Sequence, residues 1–120
     1  MSDQYHEPVA ELDQTTRDYT RALVSLKEEI EAIDWYSQRI ATATNKDLAD
    51  ILAHNRDEEI EHAVMTLEWL RRNMGTQWDK EMRTYLFTEG SIAHLEEGAE
   101  GSGEEKPKAN AQGLGIGDLK

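Results

Sequence analysis

Glu59 and His62 have the spacing of two metal ligands on one helix. They lie three residues apart within residues 51–72, where apolar side chains recur every three or four positions. Residues at this spacing are one helical turn apart, so both side chains can reach the same point in space. Carboxylate oxygen and imidazole nitrogen both bind divalent cations. The spacing therefore predicts a metal site on this helix.

The predicted site lies on an apolar face of the helix. Steps of about 100° per residue place both residues on a metal-facing stripe whose polar members are Asn55, Glu59, His62 and Thr66. Its apolar members are Leu48, Ile51, Leu52, Ala63, Trp69 and Leu70, which we expect to be buried. A carboxylate in apolar surroundings needs a compensating partner, and a cation is one such partner. Two alternatives stay open: Glu59 and His62 satisfy each other, or arginines of a neighbouring helix pair with them.

A third candidate ligand, Glu29, belongs to a preceding helix. Helical spacing of apolar residues runs over residues 12–43, and Pro8 suits the first position of this helix because its missing N–H would have no partner there. Glu29 lies on the flank of the apolar stripe, with Tyr36 further along the same flank. Taken alone, Glu29 also fits a carboxylate at the edge of the stripe that reaches solvent. Its assignment as a metal ligand is supported only when it is considered together with Glu59 and His62.

The remaining signals predict an all-α chain: an antiparallel two-helix hairpin followed by a short C-terminal helix. Asn45 is a candidate N-cap for a second helix from about Lys46 to Asn73. Gly75 would end that helix, and Thr76 would cap a third helix that includes Phe87. A further turn is expected within residues 92–97.

A second apolar face on the second helix predicts self-association. Its members are Ala49, Ala53, Ile60, Val64 and Leu67. One hairpin cannot cover both faces of this helix, and contiguous exposed apolar surface usually marks an interface. The alternative is that the third helix folds over the second face.

The number of ligands also predicts a dimer. A di-iron carboxylate bundle uses six protein ligands from four helices. This chain offers Glu29, Glu59 and His62 on two helices, so a symmetric pair of chains would complete the set. Carboxylate-rich coordination with a single histidine suits iron or manganese better than structural zinc.

Composition excludes several classes of function. The 120 residues carry 25 acidic and 13 basic side chains, and the net charge of -12 disfavours binding to nucleic acid or anionic membranes. There is no cysteine, so disulfides and thiolate metal sites are excluded. No apolar run approaches the roughly 20 residues of a membrane span, and residues 1–7 lack the features of a secretory signal. We therefore expect a soluble, cytoplasmic protein.

Four segments resemble the encapsulated ferritins. They are residues 28–36 (EEIEAIDWY), 51–62 (ILAHNRDEEIEH), 65–72 (MTLEWLRR) and 83–89 (RTYLFTE), and the resemblance covers most of residues 6–95. It implies a half-ferritin of two long antiparallel helices and a short third helix. It also implies that dimers complete a four-helix-bundle-like di-iron ferroxidase site and assemble into a ring-shaped decamer.

The same resemblance assigns roles to individual residues. Glu29, Glu59 and His62 would be the catalytic iron ligands, with Tyr36 close to the metal.

Glu28, Glu31 and Trp35 would match the family's metal-access region, where carboxylates attract the cation before it reaches the buried site. For Trp35 the alternative is interface packing. Iron is the expected metal, and calcium, manganese or zinc are further candidates at the same or the access sites.

The C-terminal residues predict a tether and a docking peptide. Residues 98–112 are rich in Gly, Ser, Glu and Lys, with no apolar side chain larger than Ala, which indicates a flexible linker after a helical domain over residues 1–97. Residues 113–120 carry Leu114, Ile116 and Leu119 among glycines. They resemble the cargo-loading peptide of encapsulin shells, and the alternative is a frayed end.

Taken together, the resemblance implies a ferroxidase that oxidises Fe(II) with oxygen as cargo of an encapsulin nanocompartment, which stores the iron. Two other classes have the same ligands or the same apolar stripes. One is a helical oligomer that buffers iron, manganese or zinc without redox turnover, and the other is a purely structural helical adaptor.

Overall fold

A computed structural model describes residues 4–95 of the chain. Within this range the chain is helical and contains no strand. Its elements are α1 (Gln14–Thr42), α2 (Lys46–Asn73) and α3 (Thr76–Tyr85), with short 3-10 turns at Val9–Glu11 and Ile92–His94. The predicted order of two long helices and one short helix is confirmed. None of the helices in residues 4–95 is both long and apolar enough to cross a membrane.

Helix α1 begins later than the sequence predicts. Pro8 precedes the separate turn Val9–Glu11, where the N–H of Glu11 donates to the carbonyl of Pro8. The long helix starts only after Asp13, whose carboxylate accepts a hydrogen bond of 2.8 Å from the N–H of Thr16. A side-chain cap of this kind satisfies a backbone donor that has no partner within the helix. Asp13 therefore fixes the first residue of α1.

Helix α2 begins where the sequence predicts. The N–H of Leu48 donates to Oδ1 of Asn45 at 2.9 Å, so Asn45 is the N-cap. Because only three residues separate α1 from α2, the two helices run antiparallel and pack as a hairpin. Leu26 of α1 and Ala63 and Leu70 of α2 are its buried apolar residues.

Residues 75–95 belong to a second compact unit, separate from the hairpin. Gly75 has φ 81°, which glycine adopts without steric cost, and it stands at the N-cap position of α3. Thr76 is the first helical residue, so the prediction that it caps α3 is wrong. Helix α3 ends at Tyr85, and Phe87 lies beyond it with φ 61°, whereas the sequence pattern placed Phe87 inside the helix.

The metal-facing stripe of α2 is only partly buried in the single chain. Ala63 and Leu70 are buried as predicted, but Leu48, Ile51 and Trp69 are exposed, Ile51 by 58%. Their predicted burial is wrong for one chain because a two-helix hairpin covers only one strip of each helix. Ile60 and Val64 on the second face are exposed as well. Contiguous exposed apolar surface of this kind is typical of protein interfaces.

Candidate metal centre

Helices α1 and α2 bring the three candidate ligands together. Glu29 projects from the middle of α1, and Glu59 and His62 project one turn apart from α2. One ligand atom from each of the three residues lies within 4.8 Å of the other two. They form the only group of at least three acidic or histidine side chains with this proximity in residues 4–95.

These separations are close to those of ligands on one ion. Oxygen and nitrogen ligands bind a divalent transition metal at about 2.1 Å, so two ligands on opposite sides of it are about 4.2 Å apart. The upper limit of 4.8 Å between the ligand atoms of Glu29, Glu59 and His62 is close to that spacing. The three side chains are therefore near enough to one another to share an ion.

The Glu59 and His62 side chains lie side by side without a hydrogen bond between them. Oε1 of Glu59 and Nδ1 of His62 are 3.7 Å apart, which is longer than a hydrogen bond. The arginines of residues 4–95 that form ion pairs do so with other carboxylates. The alternative that arginines pair with Glu59 therefore finds no support within residues 4–95, whereas Glu59 and His62 are close enough to form an ion pair if the imidazole is protonated.

Glu29 has a buried oxygen atom without a hydrogen-bond partner. The residue is half-buried, and its Oε1 atom is removed from water with no hydrogen-bond partner. An unsatisfied buried oxygen costs free energy, and more so when it carries charge. A cation held between Glu29, Glu59 and His62 would remove this cost, so the donor set fits a metal.

The centre is partly exposed. The Glu59 side chain is 29% exposed, whereas that of His62 is 48% exposed. Three protein ligands would leave further coordination positions of an ion such as iron unfilled.

The other predicted site residues are on α1. Tyr36 is half-buried two turns after Glu29, and Glu28, Glu31 and Trp35 are exposed. None of the exposed carboxylates joins the group formed by Glu29 within residues 4–95. Leu114, Ile116 and Leu119 lie outside the described residues.

Arg39 contacts one of the predicted site residues. Its guanidinium carbon lies 5.3 Å from the centre of the Tyr36 ring. None of the sequence patterns described above singles out Arg39. The one available signal is that an arginine three residues after a tyrosine lies over it on a helix.

Comparison with known proteins identifies relatives along most of the chain. A family model described as EncFtn-like matches residues 4–89. A "Ferritin-like protein" of Thermotoga maritima is 59% identical over 104 residues, 87% of this chain and 90% of the relative. An "Encapsulated ferritin-like protein" of Rhodospirillum rubrum is 54% identical over 126 aligned positions, 99% of this chain and 89% of the relative.

A solved structure agrees with the same assignment. The crystal structure of protein ne0167 from Nitrosomonas europaea is 55% identical, with a TM-score of 0.73, and the similarity covers 77% of this chain and all of that one. The residues matched by the family model include α1 and α2, which carry Glu29, Glu59 and His62. The chain therefore belongs to the EncFtn-like family of encapsulated ferritins.

Proposed function

We propose that the protein is a ferroxidase: it binds Fe(II) as its substrate and oxidises it to Fe(III) with oxygen. The observation that carries the proposal is the group formed by Glu29, Glu59 and His62, whose ligand atoms lie within 4.8 Å of one another. Membership of a ferritin-like family supports iron as the metal. The absence of cysteine from the chain leaves oxygen and imidazole nitrogen as the available ligand types.

The two carboxylates determine which oxidation state the site favours. Glu29 and Glu59 place negative charge around the ion, and Coulomb attraction is stronger for a triply charged ion than for a doubly charged one. Partial burial strengthens this difference because the local dielectric is lower than that of water. Each Fe(II) gives up one electron, and dioxygen accepts the electrons together with protons from water.

His62 has a different role from the carboxylates. Its neutral imidazole supplies a nitrogen ligand and adds no negative charge, so the ferric product is not held as tightly as by an all-carboxylate site. The product can then move on, as an oxidation catalyst requires.

A second copy of the chain would complete the site. Two hairpins related by a two-fold axis would contribute two sets of Glu29, Glu59 and His62, the six ligands of a di-iron carboxylate centre. The exposed apolar residues of the metal-facing stripe, such as Ile51 and Trp69, support such a contact. We further propose that dimers assemble into a decameric ring, which the family resemblance implies.

Exposed carboxylates beside the centre would guide the substrate. Glu28 and Glu31 are exposed on α1 near Glu29, and a chain with net charge -12 concentrates cations at its surface. We assign these two residues and Trp35 to the access region. Manganese, zinc or calcium would bind at the same or the access positions, and zinc and calcium have no oxidation step with oxygen.

The C-terminal residues would deliver the protein to a shell. A close relative is named as an encapsulated ferritin-like protein, which supports an encapsulin nanocompartment as the location and the store of the ferric product. Residues 113–120, with Leu114, Ile116 and Leu119, would dock on the shell, and residues 98–112 would be the linker between that peptide and the helical domain of residues 1–97.

The proposal is tested by adding Fe(II) to the full-length protein without oxygen and then admitting air. We expect ferric absorbance to develop faster than in buffer. The combined substitutions Glu29→Ala, Glu59→Ala and His62→Ala should reduce the rate to that of buffer while the far-ultraviolet circular dichroism remains helical. Binding without oxidation would instead indicate a metal buffer, and neither binding nor oxidation would indicate a structural adaptor.

The chain offers a matched control on the same helix. His54 and Glu58 form an exposed pair on α2, with Nε2 and Oε2 3.1 Å apart. A His54→Ala, Glu58→Ala double variant removes the same two residue types as a Glu59→Ala, His62→Ala variant. The first should oxidise Fe(II) like the wild type and the second should not. Equal rates in the two double variants would contradict the assigned site.

A further inference from the structure

Arg39 differs from the other arginines in residues 4–95 in what it contacts. Each of the others has an oxygen atom as its partner: Arg17 donates to the carbonyl of Val9, and Arg21, Arg56, Arg71, Arg72 and Arg83 pair with carboxylates. The Arg39 side chain instead contacts the ring of Tyr36, and its guanidinium carbon lies 5.3 Å from the centre of that ring. In an acidic chain this is an unusual partner for a cation.

The neighbours of Arg39 on α1 explain the contact. On a helix, side chains three and four residues apart are neighbours. For Arg39 these are Trp35, Tyr36, Thr42 and Ala43, none of which carries a carboxylate. The face of an aromatic ring then offers the nearest negative potential, and a cation within about 6 Å of the ring centre is attracted to it.

The direction of the side chains connects this contact with the metal centre. Tyr36 follows Glu29 by seven residues, which is two turns on the same side of α1. Helical side chains lean in general toward the N-terminus of their helix, which for Tyr36 is the direction of Glu29. Arg39 is one turn further along α1, and its guanidinium carbon is 5.3 Å from the centre of the Tyr36 ring. The contact therefore reaches Tyr36 from the C-terminal part of α1, and Glu29 lies in the N-terminal direction.

We propose that Arg39 is a positioning residue for the centre: its guanidinium holds the Tyr36 ring so that the phenol hydroxyl stays directed toward the bound iron. Without it, Tyr36 would occupy other side-chain rotamers for part of the time. This inference rests on the proposed function and on a role of the Tyr36 hydroxyl close to the substrate ion. It assigns to Arg39 no contact with the ion itself.

A double-mutant cycle on the full-length protein tests the proposal. Arg39→Gln should lower the rate of Fe(II) oxidation about two- to five-fold, the size expected for one exposed cation–ring contact. Arg39→Lys keeps a cation and should restore part of the loss. In a Tyr36→Phe background, where no hydroxyl remains to be positioned, Arg39→Gln should have no further effect. An equal loss in both backgrounds would overturn the proposal.

Arg21→Gln is the matched control for charge. Arg21 is also on α1, and its partner is the exposed carboxylate of Asp18. Its replacement removes the same unit of positive charge without touching Tyr36, so the oxidation rate should equal that of the wild type. A loss as large as that of Arg39→Gln would attribute the effect to net charge and overturn the positioning role.

A measurement on the metal-free protein separates this inference from the proposed function. The contribution of Tyr36 to the near-ultraviolet circular dichroism is obtained by subtracting the spectrum of Tyr36→Phe from that of the wild type. Arg39→Gln should weaken this contribution, and Arg21→Gln should leave it unchanged. An unchanged spectrum would refute the contact. A wild-type protein that does not oxidise Fe(II) would refute the proposed function and the role of Arg39 together, even if the spectrum confirmed the contact.

Discussion

Oε1 of Glu59 and Nδ1 of His62 lie 3.7 Å apart, one turn apart on α2 and not hydrogen-bonded to each other. Glu59 is the less exposed of the two, with 29% of its side chain exposed against 48% for His62. One ligand atom of each lies within 4.8 Å of one from Glu29 on α1. One helical turn of α2 therefore supplies two of the three residues of the candidate centre, and α1 supplies the third.

Replacing Glu29 by methionine should stabilise the metal-free protein. Methionine has a similar length and a high helix propensity, and it removes the carboxylate oxygen that is buried without a partner. The gain should be about 1 kcal/mol, at the lower end of the cost of an unsatisfied buried group. Thermal unfolding in the presence of a chelator measures it as a higher Tm.

The same variant should lose stabilisation by metal. Adding Mn²⁺ should raise the Tm of the wild type, because an ion that binds only the folded protein stabilises it. The Tm of Glu29→Met should not change when Mn²⁺ is added. Glu28→Met changes the neighbouring exposed carboxylate and should not raise the Tm of the metal-free protein. A lower Tm for metal-free Glu29→Met would mean that the carboxylate has a protein partner after all.

Replacing Ile51 by lysine should dissociate the oligomer. Ile51 is on the metal-facing stripe and is 58% exposed in the single chain, so a charge there would be buried at the proposed two-fold contact without a partner. Light scattering after size-exclusion chromatography should show a lower mass, and Fe(II) oxidation should fall with it. Far-ultraviolet circular dichroism should show whether the helices persist.

The control for this variant is Lys46→Ala on the same helix. Lys46 pairs with Asp50 at 3.0 Å, and both side chains are largely exposed, so their interaction contributes little. The mass of Lys46→Ala should equal that of the wild type. If Ile51→Lys also keeps the wild-type mass, the metal-facing stripe is not the contact between chains.

Glu68 should make stability depend on pH in acid. Its carboxylate accepts hydrogen bonds from Arg71 and Arg72. These bonds, of which those from Arg71 have the larger effect, lower the pKa of Glu68 from the usual 4.5 to about 2. Because the pKa of Glu68 is lower in the folded protein than in the unfolded chain, its ion pairs stabilise the fold above pH 4.5. This contribution is lost as the pH falls toward about 2.

Comparison with Glu68→Gln isolates this effect, because all other carboxylates are common to both proteins. The difference in free energy of unfolding between the two proteins should favour the wild type at neutral pH. It should shrink as the pH falls from 4.5 toward about 2. It should also be small and decrease in high salt, since the Glu68 side chain is 40% exposed. A difference that is constant with pH would contradict the effect of the two arginines on the Glu68 pKa.

Particular residues show what the sequence could and could not predict. Asn45 was predictable as the cap of α2 because capping depends on a few adjacent residues. The gathering of Glu29 with Glu59 and His62 was predictable because helical spacing and a short connection determine which side chains face each other. The exposure of Ile51 was not, since periodicity identifies an apolar face but does not say whether the same chain or another covers it.

The ends of the elements were less predictable for a related reason. Pro8 is compatible with a helix start, but so is the cap at Asp13, and the competition between them depends on small local energies. Gly75 is compatible both with the end of α2 and with the position before α3. The contact of Arg39 with Tyr36 was not predicted because it depends on the lack of a nearby carboxylate, which no single-residue pattern expresses.

Deleting residues 113–120 should prevent encapsulation and leave Fe(II) oxidation intact. The helical ligands do not depend on these residues, whereas Leu114, Ile116 and Leu119 supply the apolar anchors that a peptide-docking segment needs. Co-expression with an encapsulin shell protein, followed by purification of the shells, measures the captured fraction. A control chain with the same eight residues in scrambled order keeps length and composition and should also be excluded from shells. Capture of the deleted chain at the wild-type level would assign the recognition to the helical domain, because the anchors would then be dispensable.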